Sequence, residues 1–373
     1  MDTHSSITCP SEYRSRRTQR VRVAVEHSVK LAATAVGLVM LGASCAGTAT
    51  TGNQPSAAPA VTTNPTSDAG QPASTTEPRV RTQVALVTAE LRNELVVVSL
   101  PGGRVVRRIP VARDPKTVAS APGGPVAVVS PGSGTVTVFG RGLEAVAVFH
   151  QFGSPQLATF TPDGEYLLVT DAAAGTLTTI ELANMRVVGR ISVGAGAHHL
   201  AVSPNERRTW VALGETASTI VVVNTSDPPH PRVVGRLHPV AAVHDLAFSP
   251  DGRTVWASSA TRPYVSVYSA FSGRLLGTVP AGRAPQHVLF AAGRAYVTSG
   301  YGSSIEMVDP ARLSVIRQVG LPYGSFNLAS AGRWLVVTSV LNGEVTVLRA
   351  ATLRRGAETT VASVARSVAV LSR

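Results

Sequence analysis

From residue 83 onward the chain repeats an apolar run, a tight turn and a second apolar run. The clearest copy is Leu246-Ala247-Phe248-Ser249-Pro250-Asp251-Gly252-Arg253 followed by Val255-Trp256-Ala257-Ser258. Leu200 to Arg207 before Trp210-Val211-Ala212, and Thr161 to Glu165 before Leu168-Val169-Thr170, are its relatives. Asp-Gly between alternating apolar runs signals a hairpin, because glycine supplies the positive φ the turn needs. The small residues that end the second run, Thr88, Ser130, Thr170, Ala212, Ser258, Thr298 and Thr338, stand 40 to 46 residues apart. Each repeat continues with an alternating third strand, such as Thr219 to Val223 or Tyr264 to Tyr268, and a basic fourth strand. The fourth strand is plainest in Arg186-Val187-Val188-Gly189-Arg190 and Arg232-Val233-Val234-Gly235-Arg236, where charge on an outer edge discourages pairing with another chain. A repeat of this length built only of strands is one blade of a β-propeller, and seven markers predict an all-β ring of seven four-stranded antiparallel blades.

The same repeat predicts how the ring closes. The innermost strands are followed by their first aliphatics: Val118, Leu157, Leu200, Leu246, Val288, Leu328 and Val368. The first repeat opens directly on a second strand, Val84 to Thr88, and lacks an innermost one. Arg366 to Leu371, at the other end, supplies it, so the two ends are expected to pair within the first blade.

Ala295-Tyr296-Val297-Thr298-Ser299, together with the Ser-Pro-Asp-Gly-Arg turn, resembles the YVTN family of bacterial propeller repeats. The resemblance covers residues 83–373, with the first, second and seventh blades matching loosely. The Gly-His and Trp-Asp dipeptides of tryptophan-aspartate repeats are absent. What the resemblance implies is a secreted or periplasmic seven-bladed propeller with no shared catalytic set.

The first 82 residues read differently. Arg14, Arg16, Arg17, Arg20, Arg22 and Lys30 precede an uncharged, largely apolar stretch, Leu31 to Ser44, which is the order of an export signal. That stretch would span about 21 Å as a helix, against roughly 30 Å of hydrocarbon, so cleavage is expected rather than a permanent span. Leu41-Gly42-Ala43-Ser44-Cys45 resembles a bacterial lipobox, with Gly42 where a large aliphatic is usual. Residues 1–45 are therefore expected to be an export signal and Cys45 a lipidation site, giving an exported protein lipid-anchored at the outer surface of the bacterial cell membrane or in the periplasm. The polar lead is long for a signal, and initiation near Val21 or Val23 would remove it. Residues 46–82 are rich in Ala, Thr, Ser and Pro and cannot bury enough surface to offset ordering, so a disordered tether is expected.

Composition narrows the function. The net charge of +12 is spread over scattered arginines, with lysine only at Lys30 and Lys116, and no basic block points to nucleic acid. Both cysteines, Cys9 and Cys45, precede the repeats, so thiol catalysis and cysteine-ligated zinc are excluded from the ring. No Gly-Xaa-Ser-Xaa-Gly elbow, phosphate loop or His-Glu-Xaa-Xaa-His occurs, and Asp171, Asp245 and Glu306 are isolated acids.

The residues entering the innermost strands should face the channel mouth, where propellers bind ligands. They include His198-His199, His244-Asp245, Gln286-His287 and Phe326-Asn327, beside Lys116-Thr117, Pro155-Gln156 and Arg366-Ser367. Four imidazoles from three consecutive blades make His198, His199, His244 and His287 candidate ligands for a divalent metal. Hydrogen bonding between blades, or a wet channel, accounts for the same residues without an ion. The expectation is a monomeric binding or scaffold module for a small ligand or an envelope partner. The alternatives are a lactonase-like hydrolase, a lyase or a histidine-based metal binder. Phe152, Tyr323 and Phe326 are expected to pack between blades, and Trp210, Trp256 and Trp334 to fill the inter-blade core.

Overall fold

A computed structural model describes residues Gln83–Ser372. They form seven four-stranded antiparallel sheets. Blade I contains β1 (Gln83–Ala89), β2 (Glu94–Ser99) and β3 (Val105–Pro110). Blades II to VII follow in chain order and begin with innermost strands β4 (Thr117–Ser120), β8 (Pro155–Phe160), β12 (Ala197–Val202), β16 (Val243–Phe248), β20 (Val288–Ala291) and β24 (Ser325–Ala331). The ring closes as the repeat requires. β28 (Val368–Ser372) joins blade I in the order β28-β1-β2-β3, with Val84 opposite Leu371 and Val87 opposite Val368.

Middle strands are apolar on both faces because each blade is sandwiched between two others. β5 (Val126–Ser130) and β6 (Thr135–Phe139) are buried throughout. The outermost strand of blade IV, β15 (Arg232–Leu237), alternates instead and exposes Arg232 and Arg236. Trp210 and Trp256 are fully buried between blades. Trp334 is only half-buried: it packs on the margin of the core between blades VII and I, and the Arg349 and Arg333 guanidinium groups lie over its ring at 4.9 and 5.7 Å. At the hairpin turns Gly164 and Gly252 adopt φ of 76° and 69°, the conformation that the Asp-Gly pairs anticipate.

Hydroxyls at the ends of the second strands latch neighbouring blades together. Thr170 Oγ1 donates to the His198 carbonyl at 2.5 Å, Ser258 Oγ to that of Gln286 at 2.6 Å and Thr338 Oγ1 to that of Arg366 at 3.0 Å. Thr298 reaches the Phe326 carbonyl in the same way. Several also accept an N–H from the innermost strand of their own blade: Ser367 to Thr88, Leu157 to Thr170, Asp245 to Ser258 and His287 to Thr298. Ser130 turns back to the Ala112 carbonyl, and Ala212 has no hydroxyl to offer.

This alignment corrects one expectation. Leu157 is the equivalent of Asp245 and His287, and the inner aliphatic of blade III is Ala158, opposite Val169 as Leu200 is opposite Val211. Blades III, IV and V share the same register shift, so the difference lies in the residues: blade III has a small alanine at the inner position and a large aliphatic one residue before it.

Cys45, the export signal of 1–45 and the tether of 46–82 lie outside the described residues. Among the described residues no helix is long and apolar enough to cross a membrane.

Candidate metal centre at the channel mouth

Innermost strands begin on the face that also carries the loops between second and third strands. In a regular strand, successive side chains point to opposite faces. Pairing is interrupted between Ala197 and Leu200 and between Val243 and Leu246, and such bulges re-aim side chains. Consequently His198 and His199 lie together, with ring centroids 4.4 Å apart, although adjacent in sequence.

His199, His244 and His287 converge from three blades. Their ring centroids are 4.6 Å (His199–His244), 5.7 Å (His199–His287) and 5.5 Å (His244–His287) apart. One ring nitrogen from each lies within 4.8 Å of the other two. His198 stands behind this trio, its Nδ1 2.9 Å from the Nδ1 of His199. It is a partner of a candidate ligand rather than a member of the converging set.

The other ring nitrogens are already engaged. His287 Nδ1 lies 3.0 Å from Asp245 Oδ2, and His244 Nδ1 lies 3.2 Å from the carbonyl oxygen of Glu215. Both oxygens accept, so each Nδ1 donates and each Nε2 retains its lone pair. Burial lowers the pKa of His198, of His199 far more, and of His244 to about 4; the neighbouring imidazoles add to the last two. His198, His199 and His244 are therefore held neutral, the state in which imidazole binds metal.

A second set of groups borders the trio. Glu215 Oε1 lies 3.3 Å from Lys116 Nζ and 3.6 Å from His198 Nε2. These two neighbours, His198 first, hold its carboxyl far below the usual range despite partial burial. Lys116 Nζ also donates to Gln156 Oε1 at 2.9 Å, and burial, ahead of the Arg366 charge, lowers its pKa.

The remaining candidates separate from the trio. Gln286 is buried and bonds Ala284 through Nε2 at 3.3 Å. Phe326 packs edge-on against Tyr301 at 5.0 Å, and Tyr301 in turn against Tyr323 at 6.1 Å. Tyr301 and Tyr323 are about half exposed at this mouth, whereas Phe152 is core between blades II and III. Asn327 is half-buried on β24, opposite Thr338.

The other isolated acids are consumed locally. Asp171 accepts the N–H groups of Gly153, Ser154, Ala173 and Ala174. Glu306 accepts from Ser304, Gln318, Gly282 and Ser299. A separate surface cavity of about 830 Å³ opens on the opposite face, between hairpin residues such as Asp163, Glu165, Asn205 and Glu206.

Sequence reasoning missed Glu215. It sits outside the repeated strands, in the loop between β13 (Arg208–Leu213) and β14 (Ile220–Asn224). That loop has six residues, where the corresponding loops of the other blades have four. The insertion contributes to the longest repeat spacing, 46 residues from Ala212 to Ser258, which is the signal that could have found it.

No family model and no curated protein matches the chain. Solved structures do. A functionally unknown protein from Desulfotomaculum acetoxidans is similar with a TM-score of 0.68 at 14% identity, over 77% of this chain and 98% of that one. Apo AztD from Citrobacter koseri is similar with a TM-score of 0.63 at 11% identity, over 79% and 98%. Hydrazine synthase from Kuenenia stuttgartiensis is similar with a TM-score of 0.58 at 15% identity, over 69% and 95%. At these identities the likeness establishes the seven-bladed fold alone.

Proposed function

We propose that this propeller is a binding module for a late first-row divalent metal ion, held by His199, His244 and His287. The observation that carries the reading is the convergence of three ring nitrogens within 4.8 Å from three blades. Bonds of 2.0–2.1 Å from zinc to imidazole would draw them to about 3.4 Å, a small adjustment of side chains already fixed from behind. An all-imidazole set suits zinc or copper better than magnesium or calcium. Three ligands leave a coordination position facing the mouth, open to a small ligand or a partner protein.

Binding is preferred to turnover because Asp171 and Glu306 are used inside their own blades and Asp245 is used by His287. Proteins as different as a hydrazine synthase and AztD share the ring, so the fold itself selects no chemistry. The module is proposed to work outside the cytoplasm, attached to the membrane through lipid on Cys45. A diacylglyceryl cysteine at the mature N-terminus, read by mass spectrometry, checks the anchor.

Isothermal titration of the purified chain with Zn²⁺ and Cu²⁺ tests the centre. Stoichiometric binding is expected, lost in His244→Ala and His287→Ala while the fold is retained by circular dichroism. Equal binding by wild type and both variants would place the metal elsewhere and sink the reading. So would the absence of binding by the wild type.

A further inference from the structure

We infer that Glu215 is the positioning residue of this centre, fixing two of its three ligand rings at once. The inference rests on the metal-binding reading above. The backbone carbonyl of Glu215 faces His244 Nδ1 at 3.2 Å and, being an acceptor only, holds that ring with Nε2 free. The carboxylate works through a relay. For His199 to offer Nε2 to an ion, its Nδ1 must donate to His198 Nδ1, 2.9 Å away. His198 then carries its hydrogen on Nε2, a buried atom with no hydrogen-bond partner, whose nearby carboxylate oxygen is Glu215 Oε1 at 3.6 Å. The third ring is set independently, by Asp245 on His287 at 3.0 Å.

The fold holds Glu215 where this requires it. The six-residue loop that carries it is pinned to the start of β16 by a two-way bridge, Ala217 N–H to Val243 carbonyl at 2.7 Å and Val243 N–H to Ala217 carbonyl at 2.9 Å. That bridge stands one residue from His244. On its far side the carboxylate meets Lys116 of blade II at 3.3 Å, and Lys116 is itself fastened to Gln156 of blade III. A partner behind an imidazole ligand fixes ring orientation and tautomer, and removing it typically lowers metal affinity 10–100-fold; the carboxylate stands one ring further back and acts through His198.

The test is competition titration with Zn²⁺, together with the visible spectrum of the Co²⁺-substituted protein, on wild type, Glu215→Ala and Glu215→Gln. Glu215→Ala keeps the backbone carbonyl and loses the relay. It is expected to bind Zn²⁺ about 10-fold more weakly, the lower end of that range because it acts through His198, with an altered Co²⁺ spectrum, and to melt only slightly lower without metal, since the ion pair it loses with Lys116 is at a side chain 58% exposed. Glu215→Gln retains an acceptor for His198 and is expected to stay within about threefold of wild type. Should the alanine variant prove unstable, Lys116→Met loosens the carboxylate from the other side and is expected to weaken binding in the same direction. Wild-type affinity and spectrum in Glu215→Ala, or in Lys116→Met where that variant stands in for it, would overturn the assignment. Failure of the wild type to bind any metal would instead overturn the reading on which it rests.

Discussion

At the seam of blade I, Thr88 accepts the N–H of Ser367 at 3.0 Å, Arg366 pairs with Glu90 at 2.9 Å, and Val368 and Leu371 disappear into the core. At the junction of blades IV and V the corresponding strand ends in Ala212, which offers no hydroxyl to either side. The groups gathered there are imidazoles, two buried (His198 and His199) and two half-buried (His244 and His287), and the buried His198 Nε2 has no hydrogen-bond partner. The first junction is stabilised by apolar contact and complete pairing. The second gives up a latch and buries polar rings at a cost, which is the pattern expected where preorganised groups serve binding rather than stability.

Cutting the seam should have the largest effect. Deleting residues 364–373 removes β28, and Val368 and Leu371, 7% and 1% exposed, together contribute about 3–6 kcal/mol by burial alone. Val370 is half-buried and adds less. Deleting 46–78 is expected to leave the melting temperature unchanged. Equal midpoints for the two truncations would mean that β28 is not the closure.

A change of pH should act on the other region. His198 and His199 have lowered pKa values and His244 titrates near 4, with burial the main cause in each, against 6.5 for an ordinary imidazole. Between pH 6.5 and about 4 the unfolded chain therefore binds more protons than the folded one, and stability falls as pH drops through that window. Metal-free wild type should lose melting temperature more steeply across it than His244→Gln. Parallel slopes would show that this ring is not held neutral.

Restoring the missing latch should have the smallest effect. Ala212→Ser supplies a hydroxyl at the equivalent position, worth about 1 kcal/mol net or roughly 2 °C in melting temperature. A lower midpoint would show that the space is already filled by the packing that shapes the histidine cluster.

The ring was legible because its rules are local and repeated. Asp163-Gly164 and Asp251-Gly252 mark hairpins by backbone chemistry, and the apolar runs from Val84 to Val87 and from Val368 to Leu371 mark two strands without partners of their own. The strand-end residues Thr88, Thr170, Ser258, Thr298 and Thr338 were visible as spacing, whereas their work as latches depends on a neighbouring blade. The histidines were visible as residues entering innermost strands. Their division into a converging trio and a supporting His198 was not, because bulges at Ala197–Leu200 and Val243–Leu246 decide where adjacent rings point. Glu215 lies in an insertion outside the repeat, and no periodic reading reaches it.

The closing strand also acts as a check on chain length. Thr88 and Ser367, bonded across the seam, are 279 residues apart in sequence, so one edge of blade I stays open until nearly the whole ring has been made. Such distant pairing forms slowly, and an unpaired edge invites aggregation or proteolysis in the meantime. A product that stops short of Val368 can build blades IV to VI, with every histidine of the cluster, and still lack the strand that shuts the circle. Proofreading of this kind leaves a truncated chain with an open edge for cellular surveillance to recognise.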